Sequence, residues 1–373
     1  MVAVTIQKVR LHRVKVPLKQ PFSTHLQTVK ERESILVEMI EMGGEIGLGE
    51  CVAFSSPWYT EETVQSCWDA LQKWLIPEIV GKTFQEPSEL FQALQFIKGN
   101  RMAKAALDLA SWDLFAKKTA QPLWQFIGGV RDSIDVGIVL TGSVDAAMFS
   151  RVEAARKVGY RRVKIKIDGA TNVQDLKQLV DAFQHMLFYG DGNGIFHKLG
   201  MEALVAFDEV GLTLIEQPFL EDDWALHEEA TRRMSTPIAL DESIRSYADV
   251  ERMVEKEAGR IIVLKPGRVG GITETLNIHE LAKIHQLPMW IGGMIELGVS
   301  KAHNLALASL TQMQLPGDFS ASNHYWEEDI VTPAIMLENG RMKLSNRAGI
   351  GVALNHQVLQ TYCVESWHSN VLK

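Results

Sequence analysis

Acids and lysines recur through the middle of this 373-residue chain, each at the polar end of a short apolar run. Lys164 and Lys166 alternate in RVKIK, Asp191 ends MLFYGD, Glu216 follows LTLI, Asp241 follows IAL, and Lys265 follows IIVL. From Asp191 to Lys265 the steps are 25, 25 and 24 residues. One strand, one helix and two loops of a βα unit consume about that many residues. Charged groups at the same end of successive parallel strands would all face one place.

Three carboxylates converging in one cavity repel one another unless a cation holds them. With no Cys or His among them, the oxygen set selects a hard ion, Mg²⁺ first, with Mn²⁺ or Ca²⁺ as alternatives. The plainer reading is three unrelated strand-end acids facing solvent. Lys164 and Lys166, two apart on one strand, share a face, so both would enter the same space, although strand-end lysines can also snorkel to water. Lysine becomes a base when its pKa falls from about 10.4 to about 7–8, at a cost of ~4 kcal/mol. Lys164 and Arg268, as neighbouring cations, are expected to push in that direction. A divalent cation with two opposed lysines suits proton removal next to a carboxylate: the cation stabilises the charge that develops, and the second lysine reprotonates or balances it.

Such a site needs strands that share an end. Seven short apolar runs, at 136–141, 162–167, 186–190, 213–217, 237–240, 260–264 and 288–292, alternate with helical windows such as 172–183 and 273–285. A weak eighth run lies near 318–320. Buried, non-alternating strands separated by helices mean a parallel sheet, and seven or eight units favour an α/β fold closed as a (β/α) TIM-type barrel. An open doubly wound sheet is the alternative, but the near-constant spacing gives no sign of a switch point. The expected organisation is an α+β capping domain over 1–128, a catalytic barrel over 129–325, and a segment over 326–373 that returns to the capping domain. In the first region, strands at 2–16 and 34–40 precede an amphipathic helix at 100–118 carrying Met102, Ala106, Leu109, Trp112 and Ala116 on one face. A hairpin is expected at Asn339-Gly340.

Hydrophobic content of 46% and charged content of 23% fit a soluble globular chain. A net charge of −8 argues against a nucleic-acid surface, and no apolar run reaches membrane-helix length. The cysteines Cys51, Cys67 and Cys363 form no metal-type or redox pair. A cytoplasmic, disulfide-free protein acting on a small molecule is expected. The glycine-rich 190–194 stretch lacks the Lys-Ser/Thr ending of a phosphate loop. His279 and His285 are six apart and would not share a helix face.

The runs VKIK (163–166), YGDGN (189–193), IEQP (215–218), LDES (240–243) and LKPGRVGG (264–271) resemble the enolase superfamily in its muconate-lactonizing subgroup. GGMIELG (292–298), PGDFSASNHYWEED (316–329), PFST (21–24) and AFSSPWYTEET (53–63) are similar to o-succinylbenzoate synthases and N-acylamino acid racemases. The resemblance spans nearly the whole chain. It implies Asp191, Glu216 and Asp241 as Mg²⁺ ligands (Mn²⁺ as a substitute), Lys166 as the base and Lys265 as the opposed lysine. Lys164, Arg268 and Asn193 would support them. Phe22, Phe54, Ser55 and Trp58 would belong to capping loops over the substrate, with Gly293 and Met294 on the barrel side; Trp58 could equally be packing between domains. Glu296 matches a recurring acid without a defined role.

The implied activity is Mg²⁺-dependent dehydration of a cyclohexadiene carboxylate in menaquinone biosynthesis. N-acylamino acid racemisation is the alternative, and a non-catalytic barrel is a third reading that the five retained groups disfavour. Self-association as a homo-oligomer is implied too. Two departures stand out: Gly192 replaces the usual alanine, and residues 167–170 lack the expected Pro-Gly turn.

Overall fold

The computed structural model describes residues 3–23 and 27–370. Val2, Thr24 and the outermost residues of the first and last regions lie outside them.

Alternating apolar residues make Val4–Ser23, Thr28–Glu41 and Ile46–Cys51 an antiparallel meander. Cys363–His368 adds to its free edge, from Arg10 opposite His368 to Val14 opposite Cys363. The chain's last strand thus lies beside its first. Helix Arg101–Lys118 covers this sheet at very close range. A Cβ on Gly47 or Gly49 would stand 2.0 Å from the carbonyl oxygen of Ala110 or Ala106, so these two strand positions admit only glycine. The start of the helix is held by Glu62, whose carboxylate accepts from Met102 N at 2.9 Å and Ala103 N at 3.3 Å.

The second unit is a parallel sheet of seven strands whose neighbours follow chain order: Gly137–Leu140, Arg162–Lys166, Leu187–Asp191, Leu214–Glu216, Ile238–Leu240, Ile261–Leu264 and Met289–Ile291. Each lies where an apolar run places it. The expected eighth unit is only a bridge. Gly317 O accepts from Gly137 N at 3.0 Å on the first strand, and Asp318 N donates to Ile291 O at 3.0 Å on the seventh, which closes the ring. Tyr189, Leu214, Ala239, Ile261, Val263 and Trp290 fill the interior as a cluster separate from the outer core. Helices complete the outside; Val173–Ala182, for example, starts at Asn172, whose Oδ1 accepts from Gln174 N at 2.9 Å. Just before it, residues 168–171 form a turn in which Thr171 Oγ1 accepts from Asp168 N at 3.0 Å, in place of the Pro-Gly turn.

Acids of the capping domain hold barrel helices in place. Glu50 accepts from Leu297 N at 3.0 Å and Ser300 N at 2.8 Å, at the start of Gly298–Leu307. Asp108 accepts from Thr273 N at 3.0 Å and Thr273 Oγ1 at 2.6 Å, at the start of Ile272–Ile284. These helices follow the sixth and seventh strands, so the loops beneath them are fixed from both domains.

The expected hairpin is reduced to its turn. Glu338 and Arg341 exchange hydrogen bonds of 2.8 and 3.0 Å, but Arg341–Lys343 then pairs with Ser133–Asp135. Burial decides this: Met342 is fully buried opposite Ile134. All three cysteines are free. Among the described residues no helix is long and apolar enough to cross a membrane.

Candidate active site

The register of the barrel brings the sequence-derived groups to one level. Lys166 pairs with Asp191, and Asp191 with Glu216, across three adjacent strands; Asp241 and Lys265 follow directly on the fifth and sixth strands. Lys164, Lys166, Asp191, Glu216, Asp241 and Lys265 all line one cavity of about 280 Å³. In a ring of eight positions, the second and sixth lie across from each other. Lys166 and Lys265 therefore face one another, with the three acids on the arc between them.

Each acid is held by a cation. Lys166 Nζ donates to Asp191 Oδ2 at 2.6 Å and to Asn193 Oδ1. Its side chain is 27% exposed, open to the cavity. Lys164, buried, donates to Glu216 Oε1 at 3.0 Å and to Asp318 Oδ2 at 2.6 Å, and lies 3.9 Å from Asp191. Lys265 donates to Asp241 Oδ2 and to Tyr59 Oη, both at 2.7 Å. Arg268 donates to Asp241 Oδ1 at 2.6 Å, to Tyr59 Oη at 2.7 Å and to the carbonyls of Ile244 and Val263.

Arg268 pulls the pKa of Lys265 down, as expected, but the net shift is upward, well above the lysine range. Burial and Arg268 pull it down, yet Asp241 and Tyr59 outweigh them. Lys164 is raised in the same way: burial lowers it, and Asp318, Glu216 and Asp191 more than reverse this. Asp241 is held well below the carboxylate range, because Lys265 and Arg268 overcome its burial.

Glu216 is the exception. Burial and the nearby Asp191 raise its pKa well above normal despite Lys164, and its Oε2, although 2.8 Å from Lys164 Nζ, has no hydrogen bond of good geometry. With the three lysines holding the acids, no group of acidic, His or Cys side chains among the described residues forms a ready-made cation cage. The orphaned buried oxygen of Glu216 nevertheless marks where positive charge is short. An all-carboxylate donor set of this kind fits a hard divalent cation.

Several groups that touch these residues escaped the sequence reading. Asp318, on the bridging segment, joins Lys164 to Arg162 Nη2 at 2.5 Å; it opens the weak eighth run at 318–320 instead of ending an apolar one. Gln217 Oε1 accepts from Asp241 N at 2.9 Å and Ser243 N at 3.2 Å, and so orients the Asp241 loop. Glu242 accepts from Asn193 Nδ2 at 3.0 Å, and burial with Asp241 beside it pushes its pKa up to about 7. Tyr59 and Glu242 sit inside quoted motifs, so adjacency to Trp58 and Asp241 was the available signal.

The capping domain closes the top. Phe22, Phe54 and Trp58 line the cavity, as do Gly293 and Met294 from the barrel. Phe54 and Trp58 rings stand 4.6 Å apart, and the Arg32 guanidinium lies 4.4 Å over Phe54. Trp58 thus serves both as packing and as cavity wall. Ser55 does not line the cavity; it is exposed, and its hydroxyl helps to lower the pKa of Glu33. Glu296 lines the cavity and accepts from Asn304 Nδ2 at 3.1 Å.

Residues 6–128 match the mandelate racemase / muconate lactonizing enzyme N-terminal domain, and residues 147–358 the enolase C-terminal domain-like family. An o-succinylbenzoate synthase of Bacillus subtilis is 42% identical, over 96% of this chain and 97% of that protein. An N-succinylamino acid racemase of Thermus thermophilus is 39% identical, over 94% and 95%. The crystal structure of an enolase superfamily member from Listeria innocua superposes with a TM-score of 0.95 at 36% identity, covering 99% of both chains.

Proposed function

This chain belongs to the mandelate racemase / muconate lactonizing enzyme group of the enolase superfamily, and on that premise we propose that it is an o-succinylbenzoate synthase. It dehydrates 2-succinyl-6-hydroxy-2,4-cyclohexadiene-1-carboxylate to o-succinylbenzoate, a step of menaquinone biosynthesis. The observation that carries this reading is the pair Lys166 and Lys265 facing each other across a cavity whose intervening arc holds Asp191, Glu216 and Asp241.

Those three acids would hold a divalent cation, Mg²⁺ by donor chemistry, which supplies a fixed positive charge for the substrate carboxylate. Lys166, as the free amine, takes the proton α to that carboxylate; the ring hydroxyl on the same face leaves with that proton as water, and the ring becomes aromatic. Lys265 keeps its own proton, held by Asp241 and Tyr59, and balances the developing negative charge from the other face. Lys164 keeps Glu216 in place, and Asn193 orients Lys166. The aromatic lid of Phe54 and Trp58 excludes water and strengthens these charge interactions.

N-succinylamino acid racemisation is the second reading, favoured by the same opposed lysines, because a planar carbanion can be reprotonated by Lys265 from the face opposite Lys166. Identity to proteins of both names supports holding the two together. A cytoplasmic setting and self-association belong to this proposal and rest on the family resemblance alone. Turnover of the cyclohexadiene carboxylate with Mg²⁺, followed by ultraviolet absorbance, tests the first reading. Racemisation of N-succinylphenylalanine without dehydration of the diene would replace it with the second.

A further inference from the structure

The metal acids lie on strands three to five, so a substrate carboxylate held there directs the rest of the molecule towards the opposite wall, strands seven, eight and one. That wall includes the helix Gly298–Leu307 and the segment around His324. Lys301 on this helix is buried, at 4% exposure, and lines the cavity. Its Nζ has no hydrogen-bond partner.

A lysine balancing core acids would be the bland account, and the geometry is against it. The three acids whose charge reaches Lys301 are Asp329, Glu296 and Glu50, and each is committed elsewhere. Asp329 accepts from Gly298 N at 3.1 Å and Ser322 Oγ at 2.5 Å. Glu296 accepts from Asn304 Nδ2, and Glu50 from Leu297 N and Ser300 N. Among the described residues none forms an ion pair with Lys301. Burial leaves its pKa below the lysine range in spite of them. His324, also on the cavity wall, is depressed by burial and then by Lys301 and Lys19. A buried ammonium therefore sits at this end of the cavity with acids nearby but none paired to it, an arrangement that costs stability unless a ligand supplies the missing partner.

We propose that Lys301, with His324 beside it, is a carboxylate subsite that receives the free end of the substrate's succinyl arm. This rests on the substrate reading above, whose two alternatives share that arm. The subsite makes a dicarboxylate, rather than any carboxylate, the preferred ligand.

The test compares two ligands by calorimetry in MgCl₂: o-succinylbenzoate, and 2-butanoylbenzoate, in which a methyl group replaces the distal carboxylate. A charged hydrogen bond to a buried ammonium predicts that the wild type prefers o-succinylbenzoate by about 30-fold. Lys301→Met should abolish that preference while binding 2-butanoylbenzoate as the wild type does, and Lys301→Arg should restore part of it. Lys301→Gln replaces the methionine variant if that one fails to fold. A wild type that binds both ligands equally, or a preference that survives loss of the ammonium, overturns the subsite and leaves the reaction intact. A wild type that binds neither overturns both.

Discussion

Replacing Asp318 by asparagine probes the part of the site that the strand pattern hid. Asp318 is one carboxylate between two buried cations, with Oδ1 2.5 Å from Arg162 Nη2 and Oδ2 2.6 Å from Lys164 Nζ. At an effective dielectric constant near 20, each contact amounts to about 6 kcal/mol of attraction. Desolvation of the carboxylate offsets several kcal/mol of that total. Asparagine keeps the shape but removes the charge. It leaves Lys164 with Glu216 and the more distant Asp191, and Arg162, whose Nε and Nη1 already lack hydrogen-bond partners, facing a neutral amide. Removing one member of a buried ion pair costs about 3–5 kcal/mol, and that is the expected loss in urea unfolding followed by tryptophan fluorescence. In a Lys164→Met background the same change should cost at least about 1 kcal/mol less, because the two side chains interact directly. A loss below about 1 kcal/mol in the wild-type background, or no coupling to Lys164, would refute the argument that Asp318 anchors the lysine.

Four further outcomes follow from the same structure. His227 is buried, with Nε2 accepting from Phe219 N and Nδ1 donating to Asp223 O, and burial lowers its pKa to about 4. The unfolded chain binds this proton first, so stability present above pH ~6.5 should fall by about 3 kcal/mol as pH drops towards 4. His227→Gln should flatten that part of the pH–stability curve, and an unchanged slope would count against the assignment. Gly49→Ala places a methyl group against Ala106 O and should destabilise the capping domain by at least about 2 kcal/mol in thermal or urea unfolding. Chelation of divalent ions should abolish turnover, with Mg²⁺ restoring it and Mn²⁺ restoring part; activity that persists in chelator contradicts the metal role of the three acids. Glu50→Gln weakens the start of Gly298–Leu307 and should raise KM more than it lowers kcat, because that helix carries Lys301 rather than the reacting groups.

Much of this was legible because barrel strands are buried on both faces, so each reads as a short apolar run whose last residue enters the site. Lys166, Asp191, Glu216, Asp241 and Lys265 were visible for that reason. Asp318 was not, since the weak run at 318–320 begins with it rather than ending on it, and that unit is reduced to a bridge. The net direction of the Lys265 shift is set by Asp241, 24 residues away, and by Tyr59, in a domain no local pattern links to it, which outweigh Arg268 beside it in sequence. Glu50 and Asp108 act on helices 247 and 165 residues away, and nothing local in a sequence signals such a cap. The Asn339-Gly340 turn was real, but its outgoing strand chose a partner set by burial elsewhere.

The proposed division of roles has Lys166 do the proton chemistry while Lys265 holds charge during dehydration. It is tested most directly by following the cyclohexadiene carboxylate, with Mg²⁺, in wild type, Lys166→Ala and Lys265→Ala, alongside solvent deuterium exchange at the α-carbon of N-succinylphenylalanine. Lys166→Ala should not dehydrate the diene. Lys265→Ala should dehydrate it slowly but measurably, because loss of a charge in contact with the substrate lowers kcat by about 100-fold or more, and both variants should lose racemisation. Dehydration by Lys166→Ala at the wild-type rate would contradict that division of roles.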